Sequence, residues 1–138
     1  MTVKINLKRA ERKVAPAGDY LCNIVVAEVR PSKSDPKSNN LHLELTVDEA
    51  AHPEMAGVRL YDERSLKEQS WFRVVELLEA TKGGNLDADN EEGDLEFDEE
   101  ALVGEVVGCG VSVDDTYDPE NPRNRVDYYF APEAPEKE

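Results

Sequence analysis

The sequence runs to 138 residues, of which 39% are hydrophobic and 34% charged, with a formal net charge of −15. That length fits a single domain, and a chain of this size buries about two-thirds of the surface it exposes when unfolded. No apolar run exceeds 4 residues, against the roughly 20 that a membrane-crossing helix needs, so a helical membrane protein is excluded.

The N-terminal stretch carries Lys4, Lys8, Arg9, Arg12 and Lys13, but no apolar core of a signal peptide follows them, and export is not expected. Cys22 and Cys109 lie far apart with no CxxC spacing, which fits neither a zinc pattern nor a disulfide framework. A reducing cytoplasm is the expected compartment, with no metal and no cofactor. The charge is unevenly spread: residues 1–73 hold 12 basic and 11 acidic side chains, whereas residues 74–138 hold 4 and 20. The first half can meet phosphate, and the second presents a negative surface suited to a basic partner.

Residues 1–17 mix Val3, Ile5 and Leu7 with the basic cluster, the pattern of an edge strand or an arm that orders on binding. The domain proper is expected over 18–130. Gly18 to Arg30 is dense in β-branched residues (Ile24, Val25, Val26, Val29), predicting a first strand covered on both faces over part of its length. Pro31 to Asn40 is a loop by composition. Leu41, Leu43, Leu45 and Val47 alternate with polar residues, a period of 2 that marks a half-buried second strand. After a turn at His52 to Gly57, Val58 to Ser65 reads as a third strand with Leu60 and Tyr61 on opposite faces.

Ser70 is a candidate N-cap, and Trp71, Val74, Val75 and Leu78 follow at the spacing of one helix face, closed near Gly83 and Gly84. That stripe makes Trp71 a core residue rather than an exposed platform. Asn85 to Glu100 contains nine carboxylates and no basic residue. It reads as a solvated loop, with a helical turn at Asp98 to Leu102. Counting from Asp87, the sixth and twelfth positions are Glu92 and Asp98, so the calcium loop of an EF-hand is not matched. Val103 to Val113 forms a fourth strand, with Val103, Val107, Cys109, Val111 and Val113 on one face, and with Gly104, Gly108 and Gly110 where the strand bends or another group approaches closely. A long hairpin loop, Asp114 to Asn124, leads to a fifth strand at Arg125 to Phe130. Residues 131–138 are a Pro and Glu tail expected to be disordered.

Three strands, a helix and two strands is the element order of the OB-fold, a five-stranded Greek-key barrel, so the expected fold is mainly β, an OB-like barrel with one helix between strands three and four. Catalysis is not expected. His42 and His52 are the only histidines, no nucleophile or phosphate-loop motif accompanies them, and Cys109 reads as a small core hydrophobe.

Gly18-Asp19-Tyr20, Pro31-Ser32-Lys33-Ser34, the alternating Leu41 to Val47, and Leu60-Tyr61-Asp62 resemble the single-stranded-DNA-binding proteins of tailed bacteriophages. Trp71 opening a helix with Leu77-Leu78-Glu79-Ala80, then Leu102-Val103-Gly104 and Arg123-Asn124-Arg125-Val126, is similar to that family's order and spacing. The resemblance implies a replication or recombination accessory that coats single-stranded DNA, alongside replication or recombination proteins, with a homo-oligomer admissible. Single-strand binding requires a basic track and aromatic platforms. Lys33, Lys37, Arg59, Arg64, Arg123 and Arg125 are the expected track. Tyr61 is the first platform, followed by Tyr117 and Tyr129. The −15 charge supports a rival reading, an acidic interaction module that mimics DNA or inhibits a nucleic-acid-binding partner through residues 87–100 and 114–120.

Overall fold

A computed structural model describes residues 1–6, 14–35, 37–81, 88–116, 119–120 and 122–132. The expected disordered tail from Glu133 onward, the helix stop at Gly83 and Gly84, and Tyr117 lie outside the described residues. Five strands form one antiparallel sheet: β1 (Gly18–Pro31), β2 (Asn39–Val47), β3 (Arg59–Ser65), β4 (Val106–Asp114) and β5 (Arg123–Phe130). A single helix, α1 (Trp71–Thr81), stands between β3 and β4. The sheet order is β3-β2-β1-β4-β5. Among the described residues no helix is long and apolar enough to cross a membrane.

The strong period of β2 decides its orientation. Leu41, Leu43, Leu45 and Val47 are all buried on the inner face, opposite Val29, Ala27, Ile24 and Cys22 of β1. Each such leucine is worth about 1.5–3 kcal/mol relative to leaving it exposed. β1 is longer than its neighbours because it serves two of them. Its first half pairs with β4, its second half only with β2, and a bulge between Ile24 and Val26 bends it between these duties. The bulge also corrects the expectation that β1 is covered on both faces: the inserted Val25 is exposed while Ile24 and Ala27 are buried, and Val29, on the side of Ala27 and opposite Leu41, is itself exposed. An extra residue shifts the alternation by one, so a β-branched run need not be buried on both sides.

The β4 glycines have an equally local cause. A Cβ on Gly108 would come within 2.2 Å of the Phe130 ring, and one on Gly110 within 2.2 Å of the Tyr128 ring. The two aromatic rings of β5 lie flat across the bare backbone of β4. At the entrance to β4, Gly104 adopts φ 93°, a left-handed turn that glycine reaches without penalty, and its N–H donates to the Ile24 carbonyl at 2.8 Å. Of the expected β4 face, Val107, Cys109 and Val111 are buried, whereas Val103 precedes the strand and, like Val113, is exposed.

Two expectations about side-chain placement are corrected in the helix and at the sheet edges. Ser70 ends a 3-10 turn (Glu68–Ser70) that runs directly into α1, so Trp71 is the first helical residue. The buried stripe of α1 is Val74, Leu77, Leu78 and Ala80, while Trp71 is 54% exposed and Phe72 72% exposed. The indole nitrogen donates to the Leu66 carbonyl at 2.8 Å. The second correction concerns closure. The sheet is not closed into a barrel: β3 and β5 are its two edges, packed alongside one another without a shared ladder.

Side chains bridge that seam. Arg64 of β3 is 1% exposed, and its Nε donates to Asp62 Oδ2 at 3.0 Å. Its Nη1 donates to the Arg73 carbonyl at 2.8 Å and to Glu76 Oε1 at 3.3 Å on α1. The same Glu76 oxygen accepts the backbone N–H of Tyr129 at 2.9 Å, and the Tyr129 hydroxyl donates to Asp62 Oδ2 at 2.9 Å. The guanidinium carbon sits 4.5 Å from the centre of the Tyr129 ring, a cation–π contact that takes up charge beside Nη2, the one buried side-chain polar atom without a hydrogen-bond partner among the described residues. Burial, then the Asp62 carboxylate, pushes the Tyr129 hydroxyl well above the usual tyrosine range.

Removing one member of a buried ion pair strands its partners, so Arg64→Ala should cost about 3–5 kcal/mol in urea unfolding. Arg125→Ala, at a side chain 68% exposed, should stay within about 0.5 kcal/mol. The thiols of Cys22 and Cys109 are free and buried, and the hydrogen bond to Cys22 together with burial pushes the Cys109 thiol up. Neither should react with a thiol reagent until the chain is unfolded, and fast labelling of the folded protein would show an opening that the structure lacks.

Candidate functional site

The first residues of β3 and β5 lie at the same end of the sheet, because β3 begins beside Thr46 at the end of β2 and β5 begins beside Asp114 at the end of β4. Between them is a cleft of about 530 Å3, lined by Arg59 and Tyr61 from β3 and by Arg123 and Asn124 from β5. Asn124 anchors the segment leading into β1, accepting from the Ala15 N–H at 2.8 Å and donating to the Ala15 carbonyl at 2.7 Å. That pair of bonds imitates a strand pairing and holds Val14 at the cleft wall. Leu60 is buried and Tyr61 is 53% exposed, as their opposite faces require.

The structure therefore brings together three of the residues singled out from the sequence, Arg59, Tyr61 and Arg123. Arg125 stands next to them on the outward face of β5. Lys33 and Lys37 are exposed but belong elsewhere: they sit in the β1–β2 loop, at the end of the sheet where Asn40 pairs with Ser65. The loop is fixed there by Lys67 Nζ, 3.0 Å from Asp35 Oδ2, a contact that holds the Asp35 carboxyl below the usual range. Arg64 and Tyr129 are corrections. Both side chains are buried in the β3–β5 seam, and their hydrogen bonds are committed to Asp62, Glu76 and the Arg73 carbonyl. Neither reaches the surface. Tyr117 lies outside the described residues.

An exposed aromatic side chain that the sequence reading did not single out is Tyr128. It is the outward tyrosine of the Tyr128-Tyr129-Phe130 run, exposed, with its ring across Gly110 and 6.0 Å from the Phe130 ring. Its hydroxyl donates to Asp19 Oδ1 at 2.5 Å, and that bond raises the Tyr128 pKa. The spacing of Gly108 and Gly110 was the available signal, since two bare positions on one face invite two rings from the neighbouring strand.

The electrostatics of this face are balanced rather than bare. Arg59 donates through Nε and Nη2 to Glu44 Oε1 at 3.0 and 2.8 Å. Arg125 Nε is 3.7 Å from Asp127 Oδ1. His42, buried on the polar face of β2, contacts Glu63 Oε1 through Nδ1 at 3.2 Å and Glu44 Oε2 through Nε2 at 3.1 Å. The His42 contact and then Arg59 hold the Glu44 carboxyl below the usual glutamate range. Among the described residues no cluster of three or more His, Cys, Asp or Glu side chains is arranged to hold a metal ion.

A carboxylate whose folded pKa is depressed contributes stability above its unfolded value and loses it as pH falls through the folded one. Glu44 and Asp35 are such groups, so stability should fall as the solution is acidified below about pH 4.5, where an unfolded glutamate begins to take up protons. Glu44→Gln should flatten that acid limb measurably while leaving the fold unchanged, and an identical acid limb would place the linkage elsewhere. Neither a scan against protein-family models nor a search of curated proteins finds a match to this chain.

Proposed function

We propose that the chain binds single-stranded DNA without sequence preference, across the cleft between the starts of β3 and β5. The observation that carries this reading is the convergence of Arg59 and Tyr61 of β3 with Arg123 of β5, distant in sequence, on one exposed cleft. A phosphate-seeking arginine on each wall, with a half-exposed ring beside the one on β3, is the minimal equipment for backbone tracking plus base stacking. Arg125 and the exposed Tyr128 ring would extend the track along β5. The sheet order, with a helix between β3 and β4, supports an OB-like Greek-key reading in which the seam between β3 and β5 is held by side chains instead of a ladder. The resemblance to phage single-strand binders supports a place in replication or recombination, in a reducing cytoplasm, with no catalytic step of its own.

The Arg59–Glu44 contact sets how such binding works. A phosphate reaching Arg59 must displace a carboxylate that already occupies two guanidinium nitrogens, so affinity is modest and strongly dependent on salt. Each phosphate neutralised contributes a log-log salt slope of about −0.7. A second reading, an acidic interaction module, is supported by the acidic rim beside α1 formed by Asp89, Asp94 and Glu96.

In titrations of fluorescent oligo-dT at low salt, Tyr61→Ala should weaken binding by about 1–3 kcal/mol. Arg123→Ala should weaken it and reduce the salt slope by about 0.7. Glu44→Gln should tighten it by freeing Arg59. Equal affinity for all three variants, or no binding by the natural chain at low salt, would remove the cleft from consideration and favour the acidic module.

A further inference from the structure

A second surface, unrelated to the cleft, is amphipathic. Between α1 and residues 89–97 runs a groove of about 830 Å3 whose floor includes Trp71, Val75, Leu95 and Phe97 and whose rim includes Asp89, Asp94 and Glu96. The acidic wall has a defined shape. The Asp89 N–H donates to the Asp94 carbonyl at 2.7 Å, the Asp94 N–H donates to Asn90 Oδ1 at 3.0 Å, and the Glu96 N–H donates to Asp89 Oδ2 at 2.9 Å. The sequence expectation of a solvated loop holds for its charges but not for its neighbours, since two exposed aromatic side chains, Trp71 and Phe97, line the groove beside it. Exposed apolar patches rimmed by charge mark docking surfaces.

The same chain carries a segment of the opposite character. Val3, Ile5 and Leu7 alternate with Lys4, Asn6 and Lys8, and Arg9, Arg12 and Lys13 follow, with Glu11 as the only acidic residue before position 14. Laid out as a strand, residues 3–8 have an apolar edge of Val3, Ile5 and Leu7 and a polar edge bearing Lys4 and Lys8. Val3 is 74% exposed and Ile5 71% exposed, and neither lines the groove of its own chain. Seven extended residues reach about 23 Å, enough to run the length of α1, whose 11 residues span about 16 Å.

We infer that the groove beside α1 receives the N-terminal arm, residues 1–13, of a second copy of this chain. The apolar edge of the arm lies on Trp71 and Phe97, and its lysines meet Asp94 and Glu96. Reciprocal exchange of two arms closes the pair into a two-fold dimer. Long-range repulsion between two chains of charge −15 is confined at physiological ionic strength to a Debye length of about 8 Å, so the local arm-to-rim contact decides the outcome.

Trp71 is the only tryptophan, which makes its emission a direct report of groove occupancy. Sedimentation equilibrium of the full chain should show concentration-dependent dimerisation, with a blue shift of Trp71 emission over the same range. Asp94→Lys with Glu96→Lys should raise the dimer dissociation constant by roughly tenfold or more, as should Lys4→Glu with Lys8→Glu, since several exposed ion pairs are reversed at once. Mixing the two charge-reversed chains should restore association, because each arm then faces a groove of opposite sign. Far-UV circular dichroism confirms that the variants fold. A chain that stays monomeric at every concentration overturns the inference. So does dimerisation that ignores both charge reversals, or a blue shift that is independent of concentration and is lost with Lys4→Glu and Lys8→Glu, which assigns the groove to the chain's own arm. None of these measurements involves nucleic acid, so their outcome is separate from that of DNA binding.

Discussion

Arg64 is the constraint on which the rest of the structure depends. A five-stranded antiparallel sheet has two exposed edges, and unpaired edges invite aggregation. Here the edges are β3 and β5, and a buried guanidinium fastens both to α1 in place of a ladder. Glu76 receives the Arg64 guanidinium and the Tyr129 backbone N–H on one oxygen, so a helix side chain satisfies an edge strand's donor. Asp62 receives Arg64 and the Tyr129 hydroxyl on one oxygen as well. A buried ion cluster of this kind is not a net source of stability, because desolvation offsets its attraction, yet losing one member is expensive. Its value lies in specificity: it fixes which two strand edges face one another, and hence that Arg59 and Arg123 share a cleft.

The same chemistry limits what the cleft can do. The outward face carries cations, but Glu44, Asp127 and Asp114 stand beside them, and the Asp114 carboxyl is itself held low by the Thr116 backbone and hydroxyl ahead of any help from Arg125 and Arg123. A nucleic acid would exchange places with carboxylates rather than fill a bare positive groove. That exchange is what makes the acidic composition compatible with a phosphate-binding reading. Asp89, Asp94 and Glu96 lie instead beside α1, where they border an apolar floor.

Much of the fold was legible because its signals are local. The period of 2 in Leu41 to Val47, the opposite faces of Leu60 and Tyr61, and the glycine spacing in β4 each gave the correct element within a few residues. Asp98 to Leu102 is a turn as expected, a 3-10 helix at Glu99–Leu102 in which the Glu100 N–H donates to the Asp98 carboxylate. What failed was non-local. Trp71 shares a helical face with Val74 and Leu78 in sequence, but it occupies the first position of α1, before the helix reaches the sheet. Alternation placed Tyr128 and Tyr129 on opposite faces without saying which was inward, since that depends on the register against β4, and the register shifts at Gly110 and Val111. Arg64 read as a surface cation because its partners, Glu76 and Tyr129, are 12 and 65 residues away. A long-range ion cluster leaves no period behind. Of the site, Arg59, Tyr61 and Arg123 were legible as exposed basic and aromatic positions, and their convergence was not.

The central claim is that the chain meets single-stranded DNA at the starts of β3 and β5. Backbone amide NMR during titration with a short oligo-dT tests it most directly, since each residue reports separately. The account predicts that shifts concentrate at Arg59 to Tyr61 and Arg123 to Arg125, with Trp71 and residues 88–97 unmoved. Shifts confined to residues 88–97, or none at low salt, would contradict it.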